Sequence, residues 1–307
     1  MNKNNNKTIN PIFISGIPRS GTTLVGNILS SIKNFQVIYE PFHFNQGIKS
    51  LKQKYLIPNA NIDETEFFNL LKELSDGNSR FKIGIKDNDA ISKKILKLTL
   101  GNPSSFSYKK YIFSSNKQLV VKDPFLIFSS IYLSQFYKII ITERPLIPLA
   151  SSLKRMGWIF SEANEVRNDL ETIGINIRLF DTDEDISKEV LGCIHFNQIF
   201  IKILQEIKEN EKIHIFNQNN FIENPKKEIQ DLYSFLNVSV DDWITEKVIY
   251  KTMNSKSENY KPREKMQHDS YYNKLFSNKY YAEILTKKEI EILKNFNNEF
   301  FCSGGEI

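Results

Sequence analysis

The chain has 307 residues, 40% of them apolar, with 23 Phe and 13 Tyr. That is enough for a sizeable core, in one large α/β domain or a core with a substantial insertion. The formal charge of +5 is a modest basic surplus, and no run of Lys and Arg with interleaved aromatics marks a nucleic-acid stripe. Two cysteines, Cys193 and Cys302, lack metal-ligand spacing and fit a reducing cytosol better than a disulfide framework. The polar start, Met1 to Lys7, is no signal peptide, and no apolar run reaches the ~18–20 residues of a membrane span. A soluble, cytoplasmic protein is expected.

Residues 1–10 read as a flexible lead-in, and 11–307 as a single α/β domain. Pro11-Ile12-Phe13-Ile14-Ser15-Gly16-Ile17-Pro18-Arg19-Ser20-Gly21-Thr22-Thr23-Leu24 reads as a buried strand, a turn-rich loop and a helix start. Gly16 and Gly21 bracket the loop. A loop of this kind points backbone N–H groups, and the positive end of a helix, at a bound anion. The Walker A pattern would place Lys after the second glycine. Thr22 stands there instead, and the cation has moved back to Arg19, so the loop is a phosphate cradle unlike those for ATP or GTP.

The helix is expected to run to about Ser31, followed by a strand over Gln36–Tyr39. Glu40 comes next, at a strand's carboxyl end, where open α/β sheets bind ligands. By itself a Glu there can also be a strand-end charge that caps a helix or pairs with a Lys. His43, three residues on, is a second candidate base. Residues 45–117 carry no βα repeat and read as a helical insertion. Asp63–Glu66 followed by Phe67, Phe68, Leu70 and Leu71 suggests one amphipathic helix, and Ala90–Leu100 another. Asn102-Pro103-Ser104-Ser105 reads as a turn or loop.

A third strand covers Gln118–Lys122. Asp123-Pro124 starts the next helix, and Lys122 leaves the strand tip toward the crevice. Tyr137–Thr142 is the clearest strand, followed by Glu143-Arg144-Pro145 and a helix with Ser151 and Ser152. Residues 156–190 turn polar and acidic, without an Asp-x-Asp-x-Asp-Gly calcium loop, and read as a surface excursion. A helix over Glu189–Ile207 and a strand over Lys212–Phe216 follow. Asn224-Pro225 opens a helix whose stripe is Ile229, Leu232, Tyr233 and Leu236. Residues 246–278 are polar and read as irregular. Thr286-Lys287-Lys288-Glu289 is a capping box for a closing helix with Leu293, Phe296 and Phe300 on its apolar face. The four histidines form no zinc pattern, and His214, inside a strand, reads as structural.

The string Gly-Ile-Pro-Arg-Ser-Gly-Thr-Thr-Leu, from Gly16 to Leu24, resembles the 5′-phosphosulfate loop of the sulfotransferases. That family transfers a sulfuryl group from 3′-phosphoadenosine 5′-phosphosulfate (PAPS). The resemblance implies that Gly16, Pro18, Arg19, Ser20, Gly21, Thr22 and Thr23 bind the 5′-phosphate end. Arg144 and, eight residues later, Ser152 resemble the family's 3′-phosphate signature. Here Pro145 follows the Arg directly, so aligning on the proline would select Ser151 and put Glu143 in the cation's place. The twenty-one residues from Arg19 to Glu40 resemble the spacing to the base in carbohydrate and protein-tyrosine sulfotransferases. Tyr39-Glu40-Pro41 resembles a string of the carbohydrate members, and Lys122-Asp123-Pro124 one found in bacterial members.

The resemblance covers roughly half the chain and implies a doubly wound parallel sheet of about five strands with helices on both faces, interrupted at about 45–117 and 156–190. It implies a bacterial PAPS-dependent enzyme with Arg19 and Glu40 catalytic and no metal, His43 being the second candidate base from its place beside Glu40. A carbohydrate hydroxyl is the favoured acceptor, with a small alcohol, a lipid or a peptide tyrosine left open. Lys261, Arg263 and Lys265 resemble a basic loop that closes over the cofactor, or are simply solvated. A P-loop nucleotide kinase or NTPase, or a non-catalytic nucleotide- or glycan-binding module, is the alternative.

Overall fold

Continuous burial, rather than alternation, marks the central strands. In the computed structural model, which describes residues 10–85, 90–99, 101–114, 117–182, 184–253 and 281–302, these strands are β1 (Ile12–Gly16), β2 (Phe35–Tyr39), β3 (Gln118–Lys122), β4 (Ile139–Glu143) and β5 (Ile213–Asn217). All five residues of β1 are buried, as are four of five in β3 and β4. Such a run belongs to a strand covered on both faces. In β5, at the sheet's edge, only Phe216 is buried. The five strands form one parallel sheet, as the sequence predicts, and their order is β2-β3-β1-β4-β5. Phe35 pairs with Gln118 and Tyr39 with Lys122, while Ile14 also pairs with Lys122.

The described residues gather into two compact units. The first takes the chain up to Pro18, Thr22–Ile141 and Ile207–His214; the second takes Arg19–Gly21, Thr142–Glu206 and the residues from Ile215 on. In the first, α1 (Thr22–Ser30) buries Val25, Ile28 and Leu29. The predicted insertion carries α2 (Glu64–Ser75), α3 (Ile91–Thr99) and α4 (Pro103–Ile112). Asp63 caps α2 by accepting from the Glu66 amide at 3.1 Å, with Glu64 and Glu66 in the first turn. A 3-10 helix (Pro124–Ser129) and α5 (Ser130–Phe136) follow β3.

In the second unit α6 (Leu146–Met156) ends at Gly157, whose φ of 62° is the left-handed C-cap geometry. Then come α7 (Ala163–Thr172), α8 (Lys188–Ile207), α9 (Gln218–Glu223), α10 (Pro225–Leu236), α11 (Asp242–Met253) and a closing helix, Lys287–Cys302. Asn224 caps α10 by accepting from the Lys227 amide at 3.2 Å, and Ile229, Leu232, Tyr233 and Leu236 are its buried stripe. Cys193 on α8 is fully buried, and burial pushes its thiol up, away from the reactive range. Among the described residues no helix is long and apolar enough to cross a membrane.

Three stretches depart from the sequence expectation. Asn102–Ser105 is the start of α4, with Asn102 accepting from the Ser105 amide at 2.9 Å and Pro103 in the first turn. It has the same Asn-Pro chemistry as the start of α10, hidden by the serines that follow. The acidic excursion at 156–190 contains α7, whose whole buried face is Ala163, Val166 and Leu170. So narrow a stripe is lost among charged neighbours. Residues 246–253 continue α11 rather than being irregular. The basic residues Lys261, Arg263 and Lys265 lie outside the described residues.

The predicted capping box closes in both directions: the Thr286 amide donates to Glu289 Oε2 at 2.8 Å, and the Glu289 amide to Thr286 Oγ1 at 3.2 Å. The same carboxylate takes Lys154 Nζ at 2.6 Å and the Ser187 hydroxyl at 2.6 Å. Burial alone would push the Glu289 carboxyl up, but Lys154, Ser187 and the Thr286 amide outweigh it and hold it at about 2. With the folded value below the unfolded one of 4.5, this stabilisation is present above pH 4.5 and lost as pH falls toward 2. Glu289→Ala is therefore expected to lower stability by roughly 3–5 kcal/mol near neutral pH, read as a shift of the urea midpoint, because it strands Lys154, the Ser187 hydroxyl and the Thr286 amide.

Candidate active site

The loop after β1 turns through three residues at positive φ. These are Gly16 at 152°, Arg19 at 80° and Gly21 at 115°. A side chain at positive φ costs on the order of 1–3 kcal/mol and persists only where the surroundings impose it. An added Cβ at Gly21 would meet nothing within 4 Å, so backbone conformation rather than crowding requires glycine there. Pro18 and Thr22 are buried, Arg19 and Gly21 half-buried, and Thr23 exposed.

What imposes the turn is found in the second unit. Arg144 Nη1 donates to the backbone carbonyl of Arg19 at 3.2 Å, and Arg19 Nε donates to Ser152 Oγ at 3.1 Å. Ser20 Oγ lies 2.6 Å from Thr142 Oγ1, with both residues buried. The Ser20 hydroxyl is thus a tether to β4, a role the sequence did not suggest. Arg19, Arg144 and Ser152, predicted from motifs more than a hundred residues apart, converge. Ser152 is the serine on Arg19, and Ser151 is its buried neighbour on α6. Glu143, the alternative in the cation's place, instead accepts from Asn217 Nδ2 at 2.9 Å.

The first unit holds a second cluster. Glu40 also sits at positive φ, 51°. Its amide donates to the Lys122 carbonyl at 2.7 Å, and its own carbonyl accepts from Ser104 Oγ at 3.1 Å. Glu40 Oε1 lies 2.5 Å from Lys122 Nζ; the Lys122 side chain is 3% exposed and that of Glu40 31%. The ammonium is held inside and the carboxylate faces partly outward.

Beneath them Asp123, wholly buried, accepts from the Phe42 amide at 2.5 Å and the Phe125 amide at 2.9 Å. Asp123 fulfils its expected helix-starting role through the Phe125 bond. Its grip on the turn after Glu40 had no sequence signal. Burial pushes the Asp123 carboxyl up to about 7, with the Glu40 charge adding to it, while the two amides and Lys122 act the other way.

His43 Nδ1 accepts from the Asn45 amide at 3.1 Å, and its ring packs edge-on against Phe125 at 5.0 Å. The turn closes through Gly47, where a Cβ would fall 2.1 Å from the Pro41 carbonyl. Among the described residues no group of three or more His, Cys, Asp or Glu is arranged to hold a metal ion.

The model of the sulfotransferase family matches residues 11–242, most of the chain. No curated protein sequence matches. Among solved structures the chain is similar to mouse sulfotransferase SULT7A1 complexed with PAP, at 12% identity over 94% of this chain and 84% of that one, TM-score 0.43. It is also similar to the sulfotransferase domain from the curacin biosynthetic pathway, at 15% identity over 92% and 95%, TM-score 0.43. A third is retinol dehydratase in complex with androsterone and inactive cofactor PAP, at 11% identity over 94% and 80%, TM-score 0.45.

The Asp123 cluster yields a pH dependence. Folded, this carboxyl keeps its proton to about pH 7, whereas the unfolded chain releases it near 3.8. Between those values the folded state binds more protons, so this group makes stability fall as pH rises from 4 to 7. Denaturation at pH 4.5 and pH 7 should show that decline in the wild type and its loss in Asp123→Asn, whatever the variant's absolute stability.

Proposed function

The chain belongs to the sulfotransferase family, and on that premise we propose that it moves the sulfuryl group of PAPS to the hydroxyl of a carbohydrate, with Arg19, Arg144 and Ser152 on the donor and Glu40 as base. The observation that carries the donor side is the convergence of Arg19, Arg144 and Ser152, joined across 125 and 133 residues of sequence. Two cations and a hydroxyl gathered at one glycine-bracketed loop, Arg144 and Ser152 from outside it, fit a nucleotide with phosphates at both ends. The carbohydrate assignment rests on Tyr39-Glu40-Pro41 and its likeness to carbohydrate-acting members.

Bound PAPS would supply a sulfuryl group whose departure leaves growing charge on an oxygen of the 5′-phosphate. The amides from Ser20 to Thr23, aided by the Thr22 and Thr23 hydroxyls, hold that phosphate. Arg19 neutralises the developing charge. Arg144 and Ser152 take the 3′-phosphate. Glu40 accepts the proton of the acceptor hydroxyl, and Lys122 positions its carboxylate. The two readings of Glu40, base and lysine partner, are compatible, because a base must first be aimed.

Donor choice is tested by thermal shift. The bisphosphate 3′-phosphoadenosine 5′-phosphate should stabilise the fold far more than ADP or ATP. Arg144→Ala should erase that preference and Ser152→Ala reduce it less. Equal shifts with ADP and the bisphosphate in the wild type would overturn the assignment.

The base is tested with a working acceptor, found by screening glycans beside lipids and peptides with labelled PAPS. Glu40→Gln is expected to lower kcat by roughly 10²–10⁴-fold with the bisphosphate affinity little changed. His43→Asn should act mainly on acceptor KM. A dead His43→Asn beside an active Glu40→Gln would transfer the role to His43.

A further inference from the structure

Helix α4 joins the Glu40 turn to a surface of different character. Its first half serves the turn: Ser104 Oγ donates to the Glu40 carbonyl at 3.1 Å, and Ser107 Oγ accepts from the Tyr39 amide at 3.0 Å. The helix therefore runs back along β2, and its last turn lies beside Gln36 near the strand's start. There Phe106, Lys109, Lys110 and Phe113 recur at i, i+3, i+4 and i+7, one face of the helical spiral. Together with Gln36, Ser114 and Lys117 they line an open groove of about 640 Å3.

This surface is both greasy and basic. Phe113 is 87% exposed, Phe106 42% and the adjacent Ile112 46%. Lys110 Nζ stands 4.7 Å from the Phe106 ring centroid. The preceding α3 exposes Ile91, Ile95 and Leu98, at i, i+4 and i+7. Between Ile91 and Gln118 the chain has six charged residues, Lys93, Lys94, Lys97, Lys109, Lys110 and Lys117, and no Asp or Glu. Single exposed apolar residues need no explanation, but a cluster of them on a segment of one charge sign marks an interaction site.

We propose that the last turn of α4 and its groove are a docking surface for an anionic lipid bilayer. The phenylalanines and Ile112 enter the headgroup boundary, while Lys109, Lys110 and Lys117 meet the lipid phosphates. A soluble polyanion needs the lysines but gains little from a Phe113 standing almost wholly in water. The placement suits the chemistry. The strand register sets Phe35 beside Gln118 at this end and Tyr39 beside Lys122 at the other. The bilayer surface and the Glu40–Lys122 pair are thus separated by the length of two paired strands, roughly 13–17 Å. Docking leaves the Glu40 turn clear of the lipid.

The test is sedimentation of the full chain with vesicles of phosphatidylcholine alone and of phosphatidylcholine with phosphatidylglycerol. Binding should be about tenfold or more stronger on the anionic vesicles and should weaken as salt rises. The triple variant Lys109→Gln, Lys110→Gln, Lys117→Gln should lose the preference for anionic lipid. Phe106→Ser with Phe113→Ser should weaken vesicle binding at least severalfold, with an unchanged thermal midpoint as the folding control. Absence of wild-type binding to anionic vesicles would overturn the proposal. So would full vesicle binding by the double Phe variant, since that would assign the surface to a soluble polyanion.

Discussion

An arginine at a φ of 80° does not stay there by its own preference. The loop after β1 holds that conformation because Arg144 grips the Arg19 carbonyl and Ser152 takes its guanidinium. The bond between Ser20 and Thr142 fixes the next residue. These contacts originate on β4, on α6 and, for Arg144, on the short link between them, so the loop's shape is decided by residues far along the chain. Rigidity of this kind is what an anion site needs, since amides aimed in advance spare the cost of reorganising around the ligand.

The Glu40 cluster repeats the same economy with different chemistry. Glu40 is again a non-glycine residue at positive φ, and again its backbone is held on both sides, by the Lys122 carbonyl and the Ser104 hydroxyl. Below it a buried aspartate fixes the following turn through the Phe42 amide, and Gly47 lets the chain pass closer to Pro41 than any side chain would permit. The two residues with the most direct chemical roles in the proposed reaction are thus both strained. Neither conformation is set by the local sequence, and each is set by bonds from distant elements.

The sheet and several helix starts were legible because they depend on short-range rules. Buried apolar runs announced β1, β3 and β4, and Asn224-Pro225 and Thr286–Glu289 announced helix starts. What stayed hidden depends on tertiary partners. The strain at Arg19 and Glu40 follows from long-range bonds, and the Ser20 hydroxyl turned out to be a tether only once β4 lay beside it. Asp123 read as a helix cap, and its second bond could not be seen before β2 and β3 were paired. Asn102-Pro103 was missed for the opposite reason: the rule was local and available, but Ser104 and Ser105 have low helix preference and masked it. Those serines have their own reason to be there, since Ser104 reaches the Glu40 carbonyl.

The central claim is that Arg19 and Ser152 act as one donor-binding unit and not as two independent contacts. A double-mutant cycle on the affinity for 3′-phosphoadenosine 5′-phosphate, with Arg19→Ala, Ser152→Ala and the pair measured by calorimetry, addresses it directly. Residues in contact typically couple by roughly 0.5–3 kcal/mol, so the double variant should lose clearly less than the sum of the single losses. Strict additivity of the two losses would contradict the account.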